Sequence, residues 1–136
     1  MTIKHILIAD DEKHTRLALS LLLKNAGFQV ETACDGVEAF NTIIECMNNQ
    51  SPIDLLITDY RMPKLSGMEL IQMLNQGSLS IPVVFITGYG NNELVQELRT
   101  KGNIHYLDKP FRVEKLLQMI QQSFEQEECQ SVSQAV

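Results

Sequence analysis

Four apolar runs of this sequence end at residues that can carry chemistry. One run is followed by Asp10 and Asp11, another by Asp59, a third by Thr87 and the last by Asp108 and Lys109. Clustered carboxylates invite a hard cation such as Mg²⁺, and a hydroxyl and an ammonium group can contact phosphate oxygens. If these residues meet in the fold, they form a site suited to a metal ion and an anionic group.

The elements that position these residues follow from the apolar pattern. Five short runs, over residues 6–9, 28–33, 55–58, 83–86 and 104–107, alternate with amphipathic stretches of helical length. This alternation predicts an α/β fold with a parallel sheet wrapped by helices. The second run alternates apolar and polar residues, which predicts an edge strand, whereas continuous runs suit strands covered on both faces. Parallel strands end along one edge of a sheet, so we expect the reactive residues to meet there.

Simpler interpretations exist for each residue taken alone. Asp59 could be a solvated loop acid, and the pair Asp10 and Asp11 could stand at a helix N-terminus, where the helix dipole favours acids. Thr87 could satisfy local backbone groups, and Lys109 could be a surface lysine. The convergence of four strand ends favours a functional site over these interpretations.

Composition narrows the function classes. The formal charge of −6 at pH 7 argues against direct nucleic-acid binding. The three cysteines lie far apart, and their spacing indicates neither a zinc site nor a disulfide framework. The three histidines also lack metal-ligand spacing, so we expect structural or surface roles for them. The apolar run near the N-terminus is too short for a signal peptide or a membrane span, which predicts a cytoplasmic protein. Residues 126–136 lose helical periodicity, so we expect a domain over 1–125 followed by a flexible tail or linker.

The segments "IADDE", "ITDYRMPKLSG", "ITGYG" and "YLDKPF" occur in this order along the chain. Together they resemble the receiver domains of two-component response regulators, over about residues 3 to 124. The resemblance implies a doubly wound, flavodoxin-like fold with five parallel strands in the order 2-1-3-4-5, flanked by five helices. It also implies a cis peptide bond between Lys109 and Pro110.

The resemblance further implies a role for each site residue. Asp59 would be the phosphoacceptor, Thr87 and Lys109 would contact the phosphoryl group, and Tyr106 would act with Thr87 as the switch. The implied cofactor is Mg²⁺, with Mn²⁺ as a substitute. Its implied ligands are Asp11 directly, Asp10 through water or hydrogen bonds, Asp59, and the backbone carbonyl of Arg61.

The function implied is a phosphorylation-controlled signalling domain whose only catalysis is its own phosphorylation and dephosphorylation. A sensor histidine kinase or a phosphotransfer protein would supply the phosphoryl group. The predicted fourth helix (92–101), the fifth strand and the fifth helix would form the surface that controls an effector or binds a second copy of the chain. No direct contact with nucleic acid or membrane is expected. The alternative is an unphosphorylated adaptor of the same fold, which usually lacks an acid, hydroxyl or lysine that this sequence retains.

Overall fold

A five-stranded parallel sheet forms the centre of the molecule. The computed structural model describes residues 3–60, 62–77, 79–87 and 104–135, and of 126–135 only the backbone. The strands are β1 (His5–Ala9), β2 (Gln29–Ala33), β3 (Leu55–Asp59), β4 (Val83–Thr87) and β5 (Ile104–Asp108). Their order is β2-β1-β3-β4-β5, as the resemblance implied. All five predicted strands are confirmed, each within a residue or so of its expected bounds.

Four helices belong to the described residues: α1 (Lys13–Asn25), α2 (Gly36–Asn48), α3 (Gly67–Gln76) and the C-terminal helix (Val113–Ala135). The predicted fourth helix (92–101) and Arg61 lie outside the described residues, so the expected count of five helices stays a prediction. Among the helices that are described, none combines the length and the apolar character needed to cross a membrane.

Helices cover both faces of the sheet, which explains the unbroken apolar runs. On one face, Ile6 and Ile8 of β1 share a core cluster with residues of α1 and the C-terminal helix. On the other face, Leu7 and Ala9 share a second cluster with residues of α2 and α3. Successive side chains of a strand point to opposite faces, so a strand buried on both sides must be apolar at every position. The less buried β2 lies at the sheet edge, as its alternating sequence predicted.

Side-chain caps fix where α2 and α3 begin. The Asp35 carboxylate accepts a hydrogen bond of 2.8 Å from the backbone N–H of Glu38 at the start of α2. At the start of α3, Ser66 and Glu69 form a reciprocal capping box. These caps satisfy N–H groups that the helix itself leaves without partners, and they set the point at which each loop from the sheet becomes helical.

The C-terminal helix differs from expectation at its end. Helical periodicity of apolar residues stops near residue 125, but the helix itself continues through Ala135. The extra segment is rich in Glu and Gln, which are good helix formers even without an apolar stripe. Before this segment, the Phe124 ring packs against that of Phe28, with 6.4 Å between centroids. The division into a domain over 1–125 and a tail over 126–136 stays a prediction.

Candidate functional site

The loop after β1 holds Asp10 in a fixed position. Its carboxylate accepts a hydrogen bond of 2.9 Å from the backbone N–H of Glu12, and its backbone N–H donates to the carbonyl of Ala33. The guanidinium of Arg16 donates to the Asp10 carbonyl at 2.8 Å. Asp10 is only 2% exposed. Sequence reasoning missed the bracing role of Arg16, because nothing in its spacing indicates a contact back to the strand end.

Three carboxylates meet at this end of the sheet. One oxygen from each of Asp10, Asp11 and Asp59 lies within 4.8 Å of the others. Burial raises the pKa of Asp10 above its ordinary value, the Glu12 N–H and the Lys109 ammonium work against that rise, and the charges of Asp59 and Asp11 add to it. An all-oxygen donor set that contains a buried acid and mutually repelling charges fits a hard divalent cation.

Lys109 supplies positive charge to the cluster. Its Nζ lies 3.6 Å from Oδ2 of Asp59 and 3.8 Å from Oδ2 of Asp10. The backbone N–H of Lys109 donates to the carbonyl of Thr87 at 2.9 Å, which ties the end of β5 to that of β4. The peptide bond between Lys109 and Pro110 is cis, as the resemblance implied. Thr87, the last residue of β4, is buried at this edge of the sheet.

The close approach of the start of α3 to the end of β3 requires glycine at position 67. A Cβ atom added to Gly67 would lie 2.7 Å from the Asp59 carbonyl oxygen and 2.7 Å from the ring of Phe85. Real Cβ atoms do not occupy such positions without a shift of their neighbours. Gly67 therefore lets the start of α3 pack directly against the end of β3. The sequence signals this only indirectly, through a glycine that follows a helix-capping serine.

Tyr106 and Asp108 are paired on β5. The Tyr106 hydroxyl donates a hydrogen bond to the Asp108 carboxylate, and this bond raises the pKa of Tyr106 to about 12. Residues two apart on a strand share a face, so the pairing could have been predicted once β5 was assigned. The sequence places Asp108 at the end of the fifth strand but assigns it no role.

The structure thus brings most of the predicted site residues to one sheet edge. Asp10, Asp11, Asp59 and Lys109 lie in one cluster, and Thr87 ends the strand between β3 and β5. Tyr106 lies on the same strand that delivers Lys109. Arg61, whose backbone carbonyl was predicted to bind metal, lies outside the described residues.

Comparison with known proteins identifies the family. The model of the response regulator receiver domain matches residues 6–121. The chain belongs to this family.

Among curated relatives of the receiver domain, the transcriptional regulatory protein FixJ of Bradyrhizobium diazoefficiens is 34% identical over 137 residues, covering 100% of this chain and 64% of FixJ. The C4-dicarboxylate transport transcriptional regulatory protein DctD of Pseudomonas aeruginosa is 31% identical, covering 88% of this chain and 25% of DctD. The chain therefore spans less than two thirds of either relative.

Solved receiver domains share the fold of this chain over nearly the whole length of each solved structure. A response regulator receiver domain protein of Clostridium thermocellum matches with a TM-score of 0.81 and 28% identity, over 93% of this chain and 98% of that one. The chemotaxis protein CheY4 of Vibrio cholerae matches with a TM-score of 0.78 and 31% identity, over 90% and 99%. The molecule is a receiver domain, which is a signalling domain of two-component systems.

Proposed function

We propose that this receiver domain is a switch controlled by phosphorylation of Asp59. The observation that carries the proposal is the placement of Asp59 at the end of β3, with its carboxylate beside two further acids and 3.6 Å from the Lys109 ammonium. Phosphoryl transfer needs an aligned nucleophile and neutralisation of charge. The ammonium group beside Asp59 supports the proposal because it can neutralise charge on a phosphoryl group. The family implies the same role for the acid at this position.

The proposed reaction is transfer of a phosphoryl group to Asp59 from a phosphohistidine of a sensor kinase or phosphotransfer protein. A carboxylate oxygen of Asp59 attacks phosphorus, the bond between phosphorus and the imidazole nitrogen breaks, and the imidazole leaves with the electron pair. The product is an acyl phosphate on Asp59. Lys109 neutralises charge on the phosphoryl oxygens, and the Thr87 hydroxyl is the expected donor of a hydrogen bond to them.

Mg²⁺ is the proposed cofactor, with Mn²⁺ as a substitute. The three carboxylates and the single ammonium leave an excess of two negative charges, which one divalent cation would neutralise. Asp10, Asp11 and Asp59 would hold the ion, together with the backbone carbonyl of Arg61. When bound, the ion would screen the acids from an incoming phosphoryl group. We expect Asp11→Ala to lose more Mg²⁺ affinity than Asp10→Ala, because Asp11 is the exposed acid and the proposed direct ligand.

Phosphorylation of Asp59 is proposed to change the surface around β5 that binds a partner. Movement of the Thr87 hydroxyl toward a phosphoryl group would leave space into which Tyr106 turns. That turn requires Tyr106 to give up its hydrogen bond to Asp108. The surface of the predicted fourth helix, β5 and the C-terminal helix would then change its affinity for an effector or a second copy of the chain. Couplings of this kind are typically about 1 to 3 kcal/mol.

Phosphorylation by acetyl phosphate in the presence of Mg²⁺ tests the proposal. Intact mass should rise by one phosphoryl group in the wild-type chain and not in Asp59→Asn. Asp54→Asn is the matched control, because Asp54 precedes β3 at the opposite end of the strand, where its carboxylate accepts from the backbone N–H of His5. Equal labelling of Asp59→Asn would refute the assignment. A wild-type chain that gains no mass would favour the unphosphorylated adaptor instead.

A further inference from the structure

A second group of potential metal ligands lies at the opposite end of the sheet. His5 begins β1, Glu31 lies on β2, and Cys46 lies in the last turns of α2. One ligand atom from each of the three lies within 4.8 Å of the others. The acid cluster follows the C-terminal end of β1, so the two groups are separated by the length of that strand. Spacing along the sequence could not reveal this group, because each member comes from a different element.

His5 is oriented as a metal-binding histidine would be. The residue is 3% exposed, its Nδ1 lies 3.1 Å from the carbonyl oxygen of Ser51, and its Nε2 lies 3.3 Å from Oε1 of Glu31. A hydrogen bond from Nδ1–H to a backbone carbonyl is the usual contact that fixes the ring of a metal ligand and leaves Nε2 free to bind. In addition, the main chain of His5 is bonded in both directions to Asp54, at 2.8 and 2.7 Å. The ring therefore stands on a rigid backbone.

The two neutral tautomers of His5 differ in whether Nε2 offers a lone pair to a metal ion. If Nδ1 carries the proton, Nε2 presents a lone pair to a carboxylate oxygen of Glu31, and two acceptors face each other. If Nε2 carries the proton, that N–H donates to Glu31, and Nδ1 can accept from the Ser51 hydroxyl, whose Oγ lies 3.4 Å away. In the first tautomer, a cation held between Nε2 and the Glu31 carboxylate oxygen would remove that mismatch.

The ligand types and their spacing suit zinc. Zn²⁺ binds imidazole nitrogen, thiolate sulfur and carboxylate oxygen, and with bonds near 2.0–2.2 Å a tetrahedral ion separates nitrogen from oxygen by roughly 3.3 Å. The observed distance from His5 Nε2 to Glu31 Oε1 matches that separation. Cys46, in the last turns of α2, is half-buried and packs against the core. Mg²⁺ is a poor match for sulfur and nitrogen, which distinguishes this group from the acid cluster.

We propose that His5, Glu31 and Cys46 form a binding site for Zn²⁺ or a similar divalent transition metal. The three side chains supply three ligands, and solvent completes the fourth position. On binding, the Cys46 thiol loses its proton to solvent and the sulfur becomes a thiolate ligand. The bound ion would join β1, β2 and α2, and it would stabilise the folded chain by mass action.

Cobalt titration of the full chain under reducing conditions tests the proposal. Co²⁺ replaces Zn²⁺ in such sites and gives a thiolate-to-metal absorption band only when sulfur is bound. We expect one Co²⁺ per chain with this band, and its displacement by Zn²⁺. Cys46→Ser should lose the band. Cys34→Ser is the matched control and should keep it, because the Cys34 thiol contacts Glu38 in a separate cluster near the start of α2.

Glu31→Gln provides a second variant, on an edge strand where the change is readily accommodated. It should keep the band and lower Co²⁺ affinity by about tenfold or more, as expected when a ligand is weakened. Three results would overturn the proposal: no thiolate band in the wild-type chain, a band that is lost in Cys34→Ser and kept in Cys46→Ser, or unchanged affinity in Glu31→Gln. None of these measurements depends on phosphorylation of Asp59.

Discussion

The Lys109 ammonium lies 3.6 Å from a carboxylate oxygen of Asp59, across the ends of β3 and β5. The same ammonium lies 3.8 Å from Asp10, so one lysine is shared between two acids. The strands that carry these residues are not neighbours, since β4 lies between them. The lysine side chain therefore extends past the end of β4 to reach Asp59.

Lys109 should compete with a metal ion for the acids. Removing its charge in Lys109→Met leaves the carboxylates with more excess negative charge, so we expect tighter Mg²⁺ binding than in the wild-type chain. Calorimetric or fluorescence titration measures the change. Lys64→Met is the control, because Lys64 pairs with Asp35 outside the acid cluster and should leave Mg²⁺ affinity unchanged. Weaker binding in Lys109→Met would show that the lysine does not oppose the metal.

Asp10 should destabilise the metal-free fold near neutral pH. Burial raises the pKa of Asp10 in the folded state above its ordinary value of 3.8. The neutral carboxyl group therefore stabilises the fold below pH 3.8, and this stabilisation is lost as pH rises through the folded-state pKa. Asp10→Asn avoids this loss of stability, because the amide side chain stays neutral at every pH. Without metal, the variant should therefore gain stability over the wild-type chain as pH rises from about 4 to about 7, in denaturant or thermal unfolding.

Asp35→Asn should show the opposite trend and serves as the control. The hydrogen bond from the Glu38 N–H lowers the pKa of Asp35, so its contribution is present above the ordinary value and is lost as pH falls through the folded pKa. The variant should lose stability relative to the wild-type chain as pH rises. Difference curves of the same sign for Asp10→Asn and Asp35→Asn would contradict the assigned causes.

Gly67 should tolerate no side chain. Gly67→Ala forces a methyl group against the Asp59 carbonyl and the Phe85 ring, which should cost about 1 to 3 kcal/mol of folding free energy. Gly77→Ala makes the same chemical change at the end of α3, where the nearest atom to an added Cβ is 3.6 Å away and φ is −86°. Unfolding of the two variants measures the difference. Equal stabilities would show that the β3 end has room to relax.

Asp108 should hold Tyr106 in its present orientation. Asp108→Ala removes the acceptor, so Tyr106 turns at lower cost, and binding of beryllofluoride, a phosphoryl mimic, should tighten about twofold to tenfold. Tyr106→Phe removes the same hydrogen bond. If the pair acts as a unit, the double variant should show no further gain, whereas additive effects would indicate independent roles.

Hydrogen exchange should locate the surface that changes when a phosphoryl mimic binds at the acid cluster. With beryllofluoride, we expect protection changes in residues 88–107 as well as in the loops around Asp11 and Asp59. Changes confined to those two loops would contradict the proposed route of output through Tyr106.

The sequence predicts the strands and the edge at which they deliver the acids, because apolar runs buried on both faces admit few polar residues except at their ends. It does not predict the group of His5, Glu31 and Cys46, since its members meet only when β1, β2 and α2 are packed. The length of the C-terminal helix was also missed, because helix propensity continues after the apolar pattern stops. Tyr106 and Asp108 could have been paired from strand periodicity alone.

Chemical trapping shows which aspartate accepts the phosphoryl group. Borohydride reduces an acyl phosphate on aspartate to homoserine, so treatment after acetyl phosphate and Mg²⁺ marks the modified residue permanently. Peptide mapping should then find homoserine at position 59 in the wild-type chain. Homoserine at position 10 or 11, with Asp59 intact, would show that Asp59 is not the phosphoacceptor.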